Sequence, residues 1–125
     1  MRGKIIDAKQ KAITAARIAD SMKASEITVL DLHTIWDVTE YVVICTVESA
    51  RQLRAVWQEI RHRFKDSGIL PLGEETESTK WVLVDYNEVV VHIFIDEARE
   101  FYDLELLWGD APRVEWASDQ DKAEQ

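Results

Sequence analysis

Two apolar runs separated by only two residues constrain this chain more than any other feature. Lys80 to Tyr86 (KWVLVDY) and Val89 to Ile95 (VVVHIFI) are rich in β-branched and aromatic residues and read as strands. The pair Asn87-Glu88 between them leaves room only for a tight hairpin, so the strands must be antiparallel neighbours. That connection also sets a register. Tyr86 pairs with Val89, Val84 with Val91 and Val82 with Ile93, which gives one wholly apolar face. Trp81 beside Phe94, Leu83 beside His92 and Asp85 beside Val90 occupy the other. The first face reads as core, the second as the working surface.

The rest of the chain supplies what such a hairpin packs against. Residues 4–23 read as a helix, with Ile5, Ala8, Ala12, Ala16, Ala19 and Met22 at helical spacing. Glu26 to Leu32 (EITVLDL) reads as a strand with Ile27 and Val29 on one face, and His33 to Asp37 as a polar connection. Glu40 to Thr46 (EYVVICT) is a nearly continuous apolar run, as in a strand buried on both faces. Ser49 followed by Gln52 is a capping-box signature. It opens a helix whose stripe is Leu53, Val56, Trp57, Ile60 and Phe64, with Gly68 placed to end it. Ile69 to Gly73 suits a short edge strand, given Pro71, and Glu74 to Thr79 an acidic loop. Asp96 is placed to cap a last helix, apolar on two stripes (Phe101, Leu104 and Trp108; Tyr102 and Leu106), which Gly109 and Pro112 end. This order predicts an α/β fold, a mixed β-sheet flanked by helices. Its 125 residues suit a single domain over 1–116, with 117–125 a polar, disordered tail.

Charge narrows the partners. The formal net charge is −9, so nucleic-acid phosphates repel the chain unless its cations are concentrated locally. Residues 74–105 hold ten acidic residues against Lys80 and Arg99, whereas residues 1–24 carry six basic residues against Asp7 and Asp20. A basic protein surface fits the acidic segment. Cys45 is the one cysteine, so no intramolecular disulfide forms, and its apolar strand makes it inert packing. No apolar run approaches the roughly 18 residues of a membrane span, and no signal-peptide core opens the chain. A cytoplasmic protein is expected.

Catalytic and metal chemistry finds little to work with. No Gly-rich phosphate loop occurs, and His33, His62 and His92 are widely separated, so neither a cofactor nor a metal is expected. His92 reads as packed or hydrogen-bonded in its strand. Asp85, Asp96, Glu97, Glu100, Asp103 and Glu105 read as surface charge rather than as an acid-base pair in a cleft. With Trp81, Tyr102 and Trp108 they would give aromatic anchors with charged neighbours. Trp81 reads equally as core or anchor, and Trp57 as core. Arg51, Arg54, Arg61, Arg63 and Lys65 on the second helix read as a solvated face, with an RNA-binding adaptor as the alternative.

Several ordered blocks carry a family resemblance: ITVLDL from Ile27, TEYVVICT from Thr39, SARQL from Ser49, PLGEE from Pro71, and the long run WVLVDYNEVVVHIFIDEAREFYDLELLWGDA from Trp81. Together they resemble the ribosomal silencing factor (Iojap-like) family over nearly the whole chain. The resemblance implies a nucleotidyltransferase-like sandwich without its catalytic motifs, since no Gly-Ser pair occurs with metal-binding aspartates behind it. It implies a non-enzymatic cytoplasmic factor that binds the large ribosomal subunit through ribosomal protein uL14. Such binding would block subunit joining and lower translation when nutrients are short, with little or no direct rRNA contact. A nucleotide-binding enzyme on that fold is the competing reading, beside the arginine-rich RNA adaptor. The partner-binding residues carried over are Trp81, Asp85, His92, Asp96, Arg99, Glu100, Tyr102 and Trp108. The doubly apolar last helix also allows a homodimer off the ribosome.

Overall fold

The computed structural model describes residues 7–35, 39–96 and 111–117. The first helix, α1 (Ala8–Ser21), starts later than the predicted residue 4 because Asp7 takes extended backbone and caps it, accepting the Gln10 N–H at 2.8 Å. Its inward stripe is Ala12, Ala15, Ala16 and Ala19, all fully buried with Ile18. Side chains this small bring the helix backbone close to the sheet, against β1 (Ser25–Asp31) and β2 (Tyr41–Val47).

The second helix, α2 (Ala50–Asp66), begins where Ser49 accepts the Gln52 N–H at 3.1 Å. Gln52 reaches back to the Glu48 N–H (2.8 Å) and also donates to the Met22 carbonyl (3.1 Å). The cap thus ties the start of α2 to the end of α1. At the other end Gly68 has φ +81, and Ile69 and Gly68 donate to the carbonyls of Phe64 and Lys65. This is the paired closure that a left-handed glycine permits. Leu53, Val56, Ile60 and Phe64 are buried as the stripe predicts. Trp57 meets its predicted core position only in part: it packs against the core cluster but is half-buried at the stripe margin, where the short strand β3 (Gly73–Glu75) lies beside it, and its indole N–H donates to Glu74 (3.2 Å).

Among the described residues five strands form one sheet in the order β1-β2-β5-β4-β3, with β4 (Trp81–Asp85) and β5 (Val89–Ile95) as the hairpin. Only β2 and β5 run parallel; the other neighbours are antiparallel, so the sheet is mixed as predicted. Central β2 is buried at all seven positions, on both faces. The hairpin register holds throughout, from Trp81 opposite Phe94 to Asp85 opposite Val90. Its turn centres on Asn87 at φ +77, with the Glu88 N–H bonded to the Tyr86 carbonyl (3.1 Å). Asn tolerates this backbone, and the Asp85 carboxylate accepts the Asn87 N–H at 2.7 Å.

The edge strand is displaced from its predicted place. It forms at Gly73–Glu75, starting on the last residue of the predicted strand and running into the expected acidic loop, because the carbonyls and amides of Leu83, Val84 and Asp85 pair there. Leu70 and Leu72, predicted within the strand, are exposed.

Helices α1 and α2 cover one face, where Val29, Val43, Cys45, Val84, Val91 and Ile93 meet their stripes. On the other face Leu30, Leu32, Val42, Ile44 and Phe94 cluster with Ala111. Residues 112–116 then run antiparallel along the outer edge of β1. Pro112 accepts the Asp31 N–H and Val114 donates to the Val29 carbonyl, both at 2.8 Å. Trp116 donates its indole N–H to the Ile27 carbonyl (3.2 Å), while Arg17 holds the Trp116 carbonyl (2.7 Å). The predicted last helix and most of the tail, residues 97–110 and 118–125, lie outside the described residues.

Candidate partner-binding site

The second face of the hairpin carries a ladder of three rings. Trp81 stands opposite Phe94 with their rings 5.3 Å apart and 15° from parallel. His92, diagonal to Trp81, lies 5.8 Å from it at 17°, and 5.9 Å from Phe94 at 2°. Period-two alternation puts all three on one side, and diagonal cross-strand neighbours are within reach of aromatic side chains. The Trp81 indole N–H donates to His92 Nδ1 at 3.2 Å. An indole can only donate, so Nδ1 must carry its lone pair and the imidazole is neutral. Burial has the same effect, pushing the His92 pKa from an ordinary 6.5 down to about 4.

The predicted surface residues therefore separate by depth. His92 is 6% exposed and Phe94 1%, so both lie behind the surface, whereas Trp81 is half-buried. Asp85 is half-buried too, but at the far end of β4, roughly 13 Å along the strand from Trp81. Asp96 is exposed and leaves the sheet at the Trp81 end, since the preceding Ile95 donates to the Lys80 carbonyl. Arg99, Glu100, Tyr102 and Trp108 lie outside the described residues.

What the sequence reading passed over is the wall beside Trp81. Glu74, Glu75, Thr76, Glu77 and Ser78 line with it an open depression of about 560 Å³. Clamps from α2 hold this segment in place. Arg61 bonds Glu74 at 2.7 Å, Trp57 donates to the same carboxylate oxygen, and Arg54 donates to the Thr76 carbonyl at 3.2 Å. The clue is in the sequence, since the acidic run ends at Glu77, four positions before Trp81. The same contacts bear on the basic helix. Arg54 and Arg61 are turned to the acidic segment, Arg54 also sits 6.0 Å from the Trp57 ring, and Arg63 pairs with Glu59 at 2.7 Å. These contacts weaken the helix as a phosphate-binding face.

A second charged group lies at the end of β1. His33 is held between Asp31 (2.6 Å, at Nδ1) and Glu40 (2.7 Å, at Nε2), with its ring edge-on to Tyr41. The Asp31 and Glu40 carboxylates raise its pKa above the ordinary value. Among the described residues no group of three or more His, Cys, Asp or Glu side chains is arranged to hold a metal ion, and no helix is long and apolar enough to cross a membrane. The one Asp-x-Asp spacing in the chain, Asp119 to Asp121, falls in the tail outside the described residues.

Comparison with known proteins supplies the remaining term. A family model described as "Ribosomal silencing factor during starvation" matches residues 5–125. The ribosomal silencing factor of Bacillus subtilis is 41% identical over 106 residues, 82% of this chain and 90% of that protein. The chloroplast protein Iojap of Zea mays is 32% identical over 83% of this chain and 46% of its own length. A crystal structure of a Chromobacterium violaceum protein superposes with a TM-score of 0.80 at 29% identity, covering 90% of this chain and 94% of that one.

Proposed function

The chain belongs to the ribosomal silencing factor family, and from that premise we propose that it silences ribosomes by binding the large subunit through ribosomal protein uL14. Bound there, it blocks the face that meets the small subunit and so represses translation under nutrient limitation. Family membership points to a regulator rather than a catalyst.

One observation carries the reading of the contact. Trp81 stands half-buried beside an open depression whose rim carries the exposed Glu75 and Glu77, with Glu74 held behind them by Arg61. An aromatic anchor with a charged rim is what a tight protein contact needs, and the acidic rim selects a basic partner surface. Asp96 extends the same charge at that end of the hairpin, and Arg99, Glu100, Tyr102 and Trp108 follow it in sequence. The acidic chain thus reaches a ribosome through protein, with little demand on rRNA.

Sucrose-gradient analysis tests this. Purified protein is expected to shift intact ribosomes toward free subunits, and Trp81→Ala to weaken large-subunit binding by about 2 kcal/mol or more. Pull-down of isolated uL14 should weaken as salt rises. Arg51→Glu, at an exposed position of α2 that makes none of these clamps, should leave binding nearly unchanged. A full loss there with Trp81→Ala silent would transfer the contact to rRNA.

A further inference from the structure

The depth difference between Trp81 and His92 gives the two residues different roles. We infer that His92 is a positioning residue for Trp81: its Nδ1 accepts the indole N–H and holds the ring in the one orientation presented to the partner. This rests on the reading of Trp81 as a partner contact.

A tryptophan side chain turns about two torsions. Here stacking on Phe94 at 5.3 Å constrains the ring plane, yet a stacked indole can still turn over within that plane's constraint and reverse the direction of its N–H. The bond to His92 Nδ1 breaks the ambiguity, because it pins the pyrrole edge toward β5 and so sets which ring edge faces outward. His92 is well suited to this. It is 6% exposed, its own ring is stacked on Phe94, and its burial favours the neutral form that has a lone pair to offer. Fixing the anchor before the encounter removes ordering cost at binding, which is how a residue that never meets the partner raises affinity.

Shape-matched substitutions separate this role from packing. In His92→Asn the side-chain oxygen falls where Nδ1 lies, so the acceptor survives; in His92→Leu the outline is the same and the acceptor is gone. We expect the Trp81 indole N–H resonance, assigned by its absence in Trp81→Ala, to stay near its wild-type position in the Asn variant and to shift upfield in the Leu variant. Large-subunit binding should fall about three- to tenfold in His92→Leu and be largely restored in His92→Asn, the size expected of one net hydrogen bond. His92→Phe, which keeps a flat ring, should behave like His92→Leu. Amide spectra of each variant report whether the sheet is intact. Equal binding and equal indole shifts in the Asn and Leu variants would overturn the inference. If Trp81→Ala itself leaves subunit binding unchanged, the contact reading fails instead, while the resonance shifts still decide whether His92 orients the indole.

Discussion

On the face of the sheet under α1 and α2, side chains meet almost entirely through apolar surface, with Val43, Val84, Val91 and Ile93 against Ala16, Val56, Ile60 and Phe64. Across the same two strands, the opposite face of the hairpin is a stack of rings joined by a hydrogen bond between Trp81 and His92. The first arrangement asks for volume and hydrophobicity, which many residues satisfy; the second asks for one donor, one acceptor and a fixed ring geometry. Both faces bury apolar side chains, but only the second also depends on how one donor and one acceptor are oriented. The largest effect expected from this contrast is on the helix-covered face. Phe64 is 2% exposed with its ring 4.7 Å from Tyr86, and Phe64→Ala should cost about 3–5 kcal/mol in urea denaturation. A loss below about 1 kcal/mol would mean that this face is not the main store of stability.

The contrast also explains what could be read in the sequence. Period-two alternation with a two-residue loop has one solution, so the Trp81–Phe94 register and the core face were legible. So were the caps at Ser49 and Gly68, which depend on a few adjacent residues. Pairings formed across long stretches of chain were not. Nothing local indicates that Pro112 and Val114 close the edge of β1, or that β3 starts at Gly73 rather than Ile69. Trp57 has the spacing of a core residue, yet its burial depends on how far a three-residue strand extends over it. At the candidate site the alternation placed Trp81 and His92 on one face, but depth depends on what covers the sheet, which a strand pattern does not carry. His92 bears out its reading as packed or hydrogen-bonded in its strand, and it lies behind the surface on which the resemblance sets it with the partner-binding residues.

The second effect belongs to His92. Its folded pKa of about 4 lies below the ordinary 6.5, so the unfolded chain binds the proton more readily. Its contribution is complete above about pH 6.5 and is lost as the pH falls from there toward 4, up to about 3 kcal/mol. Comparing wild type with His92→Asn at pH 7 and pH 4.5 isolates this term from the carboxylates, which titrate in both. A gap between the two proteins that is the same at both pH values would show that the imidazole is not held neutral, and the face contrast would weaken.

A smaller effect tests the apolar face from within. The Tyr86 hydroxyl is buried there without a hydrogen-bond partner among the described residues, and burial pushes its pKa up to about 12. A buried hydroxyl left unpaired costs more than its removal, so Tyr86→Phe should stabilise the protein by about 1 kcal/mol. Thermal denaturation reads this directly. A clear loss of stability would place a polar partner, such as a bound water, on a face described here as apolar.

The smallest effect comes from the histidine outside both faces, and it has the opposite sign. His33 sits in solvent between Asp31 and Glu40, and hydrogen bonds to the two carboxylates, Asp31 first, raise its pKa. The backbone N–H of His33 in turn helps to lower the Asp31 pKa. A raised folded pKa means that the charged clamp stabilises below about pH 6.5 and is lost as the pH rises through the folded value. Solvent screening keeps the energy small, so proton titration of the two imidazoles by NMR is a better measure than denaturation. His33 should titrate above 6.5 and His92 well below it, and the double change Asp31→Asn with Glu40→Gln should return only His33 toward the ordinary value. Should both histidines titrate together near 6.5, neither the buried acceptor nor the exposed clamp holds the proton state assigned to it. If only His33 fails, the ladder keeps its neutral imidazole and the loss is confined to the β1–β2 connection.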